Sequence, residues 1–258
     1  MQERELELLV QASHAAGEVA ASYFGNGPES WDKGAGQGPV TEADLAVDAL
    51  LKDALLDACP EYGWLSEESE DGATRLTRER VFIVDPIDGT RAFIDGSPNF
   101  SHALAIVEDG IVTHGVVHMP IKGLTFAARR GGGATLNGET IEVGRRAELD
   151  GAQTLIARPM MEPHHWPGGP PPISRHFRSS LAYRLCLIAN GRFDAMVTVR
   201  DAWEWDVAAG SLIVAEAGGA VSDRLNGALR FNNSHPKVPG VVATNPDLHG
   251  QFLSRLTG

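Results

Sequence analysis

Cysteine is nearly absent: the 258-residue chain has two, Cys59 and Cys186, each inside an apolar helical pattern. Two such thiols make no disulfide framework, and without CxxC or HExxH spacing they make no zinc site of the common kinds. Both read as buried free thiols. Long apolar runs are also missing, so no segment reads as a membrane-spanning helix. The opening residues MQERELELLV are acidic and lack the basic-then-apolar plan of a secretory signal, which sets the expectation of a cytoplasmic protein. Basic residues are the third scarcity. Lys and Arg number 22 against 34 Asp and Glu, a formal net charge of −12. Such a surface repels phosphate backbones and argues against a nucleic-acid polymer as partner.

What is there is an ordinary globular composition, with 43% hydrophobic and 22% charged residues. The length suffices for one large domain or two small ones with a real core. Apolar spacing predicts helices over 4–24 and 43–58, the second stopped by Pro60. A Gly-rich loop, WDKGAGQGPVT (31–41), separates them. VFIV (81–84) suits a buried strand. HALAIV (102–107) and IVTHGVVH (111–118) flank Glu108-Asp109-Gly110, a hairpin signal. LTFAA (124–128) is another strand. Beyond residue 147 strands and helices alternate, with helices over 180–191 and 206–219 and a last one over 246–256. The chain is thus expected to divide into an N-terminal α+β domain, 1–147, and a C-terminal α/β domain, 148–258.

Acidic residues gather at loop–helix junctions: Asp44 in PVTEAD, Glu67 and Glu68 in LSEES, Asp85 and Asp88 in DPIDGT, and Asp206 in EWDVAAG. In DPIDGT an apolar strand delivers Asp85, Pro86 fixes the backbone, Gly89 permits a tight turn and Thr90 can begin a helix. Two carboxylates on such a turn converge, repel, and share a proton or a cation. Hard divalent cations take oxygen ligands, and the Ile87 carbonyl between the two is a natural one. The amides of Gly89 and Thr90 at a helix start suit phosphate. Each cluster also has a plain reading. Asp-Pro and Asp-Gly favour turns, EESED can be a solvated loop, Asp206 can cap its helix, and Thr41 can cap the helix that holds Asp44. Bound metal would explain how an anionic protein holds an anionic substrate.

These segments resemble the inositol monophosphatase family of metal-dependent, lithium-sensitive phosphatases. VFIVDPIDGTRAFIDG looks like its first signature and WDVAAGSLIVAEAGG like its second. PVTEADLAVDALL and WLSEES resemble the two upstream elements, all in family order across nearly the whole chain. The resemblance implies a layered αβαβα sandwich of the sugar-phosphatase type within the α/β class. It implies Mg2+ as cofactor, two or three ions per site, and often a homodimer. Glu67, Asp85, the Ile87 carbonyl, Asp88 and Asp206 match metal ligands. Asp44 and Thr90 match the pair that orients the nucleophilic water, so Glu67, Asp44 and Thr90 carry the catalytic roles. The Gly89 and Thr90 amides match the phosphate cradle, and Lys33 matches a loop lysine near the site. Asp88, Gly89, Thr90, Ser179, Arg184 and Asp206 are expected to face substrate. Glu68 is expected beside the site or exposed.

The implied reaction is hydrolysis of a small phosphorylated metabolite by activated water, without a phosphoenzyme. The two substrate classes in view are a 3′(2′),5′-bisphosphate nucleotide and inositol 1-phosphate. Histidinol phosphate, fructose 1,6-bisphosphate and a non-catalytic regulatory role are the alternatives. Inositol-specific members carry a glutamate seven positions before the second-signature aspartate. Val199 stands there and cannot hydrogen-bond a polyol. His164-His165 reads as a solvated loop pair, Trp203 and Trp205 as packing residues, and Met160-Met161 as gap-filling core.

Overall fold

A computed structural model describes residues 2–34 and 38–257. Residues 35–37 of the expected Gly-rich loop lie outside the described residues. Its flanks are not loop but a two-stranded ribbon, Ser30–Asp32 against Pro39–Thr41. The helices are α1 (Gln2–Tyr23), α2 (Glu42–Ala58), α3 (Thr90–Ile94), α4 (Leu181–Ala189), α5 (Glu204–Glu216) and α6 (Pro246–Thr257). Thr41 caps α2 as its position predicts. Its hydroxyl accepts from the amides of Ala43 and Asp44, and the Asp44 carboxylate accepts from the Thr41 amide.

Seven strands form one sheet, in the order 63–66, 80–88, 101–108, 111–119, 124–129, 134–136, 139–140. The first pair is parallel and the rest antiparallel. The expected hairpin turns on Asp109 and Gly110, both with positive φ, which suits the right-handed twist of its strands. A second sheet runs 174–176, 153–155, 195–198, 241–244, 220–222.

Alternation along the strands explains the layering. In strand 80–88, Phe82 and Val84 pack with α1 and α2, while Val81 and Ile83 face α4 and α5. The second sheet repeats the pattern. Met196 and Ala243 join the α4–α5 cluster, whereas Val197 and Val242 pack with Leu248 and Phe252 of α6. The result is five layers, helix–sheet–helix–sheet–helix, an α/β architecture. Helix α5 lies in the middle layer and is buried almost all round, from Trp205 to Val214 apart from Asp206. It presses on the first sheet where Gly115 has no side chain; a Cβ there would sit 2.8 Å from the Ala209 carbonyl oxygen. Cys186 is buried and Cys59 half-buried, and both are free thiols. Cys59 is less enclosed than its apolar pattern suggests because it caps the end of α2.

Candidate active site

Strand 80–88 carries Asp85 between the two helical layers, where it is buried. The strand does not turn at Pro86. It continues to Asp88 with one extra residue between the pairs Asp85↔Ala103 and Asp88↔Ser101, a bulge that re-aims the side chains. His102 on the neighbouring strand donates through Nδ1 to the Pro86 carbonyl. Gly89 then adopts φ +104°, and a Cβ there would lie 3.1 Å from the Asn99 carbonyl oxygen, so glycine is required. Thr90 opens α3 at that point.

Three of the predicted acids meet here. Ligand oxygens of Glu67, Asp85 and Asp206 lie within 4.8 Å of one another, the only such group among the described residues. Glu67 arrives from the end of strand 63–66 and Asp206 from the first turn of α5. Asp206 is not the cap of that helix; the cap position is Trp203. Both oxygens of Asp85 are buried without a hydrogen-bond partner. Burial, then the charges of Glu67, Asp88 and Asp206, pushes the Asp85 carboxyl far above its usual range. Burial and the charges of Asp88 and Glu67 do the same to Asp206. An orphaned, oxygen-only set of crowded carboxylates fits a hard divalent cation.

Asp88 stands beside this trio rather than in it. Its Oδ2 accepts from the Ser180 hydroxyl at 2.7 Å and the Ala182 amide at 2.6 Å, at the start of α4. Burial raises its carboxyl to about 6 against those hydrogen bonds. Asp44 is fully buried, and its Oδ1 accepts from Thr90 Oγ1 at 3.1 Å. The same hydroxyl lies 3.2 Å from the Ile87 carbonyl oxygen, so the two acceptors share one proton. Lys33 Nζ reaches both Glu67 Oε1, at 2.8 Å, and Glu68 Oε1, at 2.7 Å. Glu68 is therefore neither exposed nor idle. Burial lifts its carboxyl to about 7, opposed by the hydrogen bond from Lys33.

Ser179 is exposed and offers its carbonyl to Arg184 Nη2. Arg184 is buried, also donates to the Arg178 carbonyl, and lies 4.4 Å from the Phe177 ring centroid. Its charge is felt at Asp88 and Asp206. The serine that touches Asp88 is Ser180, which sequence reasoning passed over although its position before an apolar helix marked it as a cap. Glu204 was passed over too. It is fully buried and accepts from the amides of Asn232 and Asn233, tying the start of α5 down two residues before Asp206. Val199 packs in the α6 cluster. His164 and His165 belong to no candidate metal group among the described residues. Trp203 and Trp205 stack on each other with centroids 4.7 Å apart, and both Met160 and Met161 pack against the α6 cluster.

Carboxylates gathered where α5 meets the bulged strand of a five-layer sandwich form a candidate cation site of the kind a hydrolase can use. The profile described as the inositol monophosphatase family matches residues 1–257, and the chain belongs to that family. Its members hydrolyse phosphomonoesters. The chain is 35% identical over 246 residues to the inositol-1-monophosphatase of Rhizobium meliloti, covering 86% of each. It is 37% identical over 194 residues to a fructose-1,6-bisphosphatase/inositol-1-monophosphatase of Thermotoga maritima, covering 71% of each. The solved inositol monophosphatase of Thermotoga maritima superposes with a TM-score of 0.82 at 30% identity, over 98% of this chain and 96% of that one.

Proposed function

We propose that the protein is a Mg2+-dependent phosphomonoesterase of a small phosphorylated metabolite. The observation that carries this reading is Asp85, whose two buried oxygens lack any partner beside Glu67 and Asp206. Glu67, Asp85 and Asp206, with the Ile87 carbonyl and Asp88 beside them, would hold the metal. Bound there, Mg2+ would lower the pKa of a water and offset the charge of the phosphate. The protein's own groups do the rest. Thr90 Oγ1 gives its proton toward Asp44 Oδ1, which leaves its lone pairs to accept a proton of the attacking water. That water attacks phosphorus in line, its proton passes through Thr90 Oγ1 to Asp44 Oδ1, the P–O ester bond breaks, and the leaving alkoxide departs on the opposite side and takes a proton from solvent water. The amides of Gly89 and Thr90 receive the phosphate oxygens.

Inositol 1-phosphate is one substrate in this reading, supported by the names of the relatives. A 3′(2′),5′-bisphosphate nucleotide is the second, supported by Val199, which packs in an apolar cluster and offers no hydrogen bond to a polyol. A panel of both, with fructose 1,6-bisphosphate and histidinol phosphate, at millimolar Mg2+ tests the proposal. Turnover that needs Mg2+ and falls with Li+ is expected. Equal turnover in excess chelator contradicts it.

A further inference from the structure

Helix α2 bears two buried acids one turn apart, Asp44 and Asp48. Asp44 serves Thr90. Asp48 reaches instead to the loop that carries Glu67. Its Oδ1 accepts from the Ser66 hydroxyl and its Oδ2 from the Ser69 hydroxyl at 2.6 Å. These two serines bracket Glu67 and Glu68. Each hydroxyl also accepts a hydrogen bond, one from the loop and one from the strand before it. Ser66 Oγ takes the Glu68 amide at 3.4 Å and Ser69 Oγ takes the Trp64 indole N–H at 3.1 Å. On the other side, the Glu67 amide donates to the Val84 carbonyl at 3.3 Å, next to Asp85. The stretch 66–69 is thus pinned at both ends by one carboxylate and in the middle by the strand that holds Asp85.

We infer that Asp48 is a positioning residue for the metal site: through Ser66 and Ser69 it sets the place of the Glu67 carboxylate beside Asp85 and Asp206. Groups that orient a ligand without touching the metal typically change affinity or activity by about 10–100-fold when removed. The inference rests on the proposed role of Glu67 as a metal ligand. It separates two jobs on one helix face. Asp44 acts on the chemistry, Asp48 on the metal's hold.

The test measures Mg2+ binding to the full chain by calorimetry, without substrate, together with the melting temperature of the metal-free protein. The variants are Asp48→Asn, Ser69→Ala, their combination, and Glu67→Gln. Asp48→Asn is expected to weaken Mg2+ binding about tenfold or more, while kcat recovers at saturating Mg2+. Ser69→Ala is expected to weaken binding less, and to add little once Asp48 is replaced, as for two members of one network. If Asp48→Asn only lowers the melting temperature and binds Mg2+ within about twofold of the wild type, while Glu67→Gln loses binding, Asp48 is merely structural and the inference is overturned. If Asp48→Asn does not fold, Ser69→Ala decides. Weakened binding with an unchanged metal-free melting temperature supports the inference, and unchanged binding overturns it. Glu67→Gln that binds and turns over as the wild type brings down the site reading itself, a different failure.

Discussion

The hydroxyl of Thr90 lies 3.1 Å from Oδ1 of Asp44, across 46 positions of sequence. Asp44 is locked from its other side by the amide and hydroxyl of Thr41. The start of α2 and the start of α3 are thereby joined through the two oxygens of one buried carboxylate, Oδ2 held by Thr41 and Oδ1 by Thr90.

That relationship predicts a loss confined to chemistry. Thr90→Ala removes the acceptor for the attacking water, and kcat should fall about 10²–10⁴-fold, the range for a positioned proton-handling group. Thr90→Ser keeps the hydroxyl and should retain most of the activity. The Mg2+ concentration for half-maximal activity should move little in either. Steady-state kinetics over a Mg2+ series checks all three statements.

Ser180→Ala should act on stability and on Asp88 together. The Ser180 hydroxyl donates to Asp88, and its oxygen accepts from the Tyr183 amide at 2.9 Å as the cap of α4. Loss of such a cap costs about 1 kcal/mol, which urea unfolding would register. Asp88 keeps the Ala182 amide, so activity should fall only moderately, by about tenfold.

How much of this could be read from the chain alone varies by element. The continuous apolar run VFIV announced a strand buried on both faces, and Thr41 announced the start of α2, because both signals are local. DPIDGT announced a turn, which the structure has at Gly89 but only after a bulged strand that runs on to Asp88. Asp-Pro and Asp-Gly favour turns in isolation, but here pairing with residues 101–103 keeps the backbone extended. The acids of the trio were legible as residue types at family positions. Their convergence was not, since it depends on α5 being wedged between two sheets. Ser180, Asp48 and Glu204 escaped notice because a serine or an acid near a helix start has a sufficient local explanation. Only the fold shows that each also reaches a second element.

His102 should stay neutral well below the usual range for histidine. Burial lowers its pKa to about 4, against the hydrogen bond to the Pro86 carbonyl. In the unfolded chain it takes a proton near pH 6.5. Between these values the unfolded state binds more protons, so its contribution to stability is lost as pH falls from 6.5 toward 4. The slope is about 1.4 kcal/mol per pH unit. An imidazole titration by NMR should place His102 near 4. The wild type should also lose stability relative to His102→Gln over that interval. A titration midpoint near 6.5 contradicts the burial argument.

Arg75→Met should destabilise the protein strongly. Arg75 is 2% exposed and donates to both oxygens of Asp71, to the Asn232 side chain and to the Asn233 carbonyl. Those asparagines bind the buried Glu204 at the head of α5. Removing the guanidinium breaks the ion pair with Asp71 and leaves the Asn232 side-chain oxygen and the Asn233 carbonyl without their donor, at about 1–3 kcal/mol for each buried acceptor left unsatisfied. Thermal unfolding of the variant, compared with the exposed control Arg145→Met, measures it.

The central claim is that Glu67, Asp85 and Asp206 hold a divalent cation. The most direct measurement is anomalous diffraction from crystals of the protein grown with Mn2+ in place of Mg2+. The account predicts a peak among the three carboxylates, at bonding distance from an Asp85 oxygen, and its loss in Asp85→Asn crystals grown the same way. Occupied Mn2+ elsewhere with nothing among these carboxylates contradicts it.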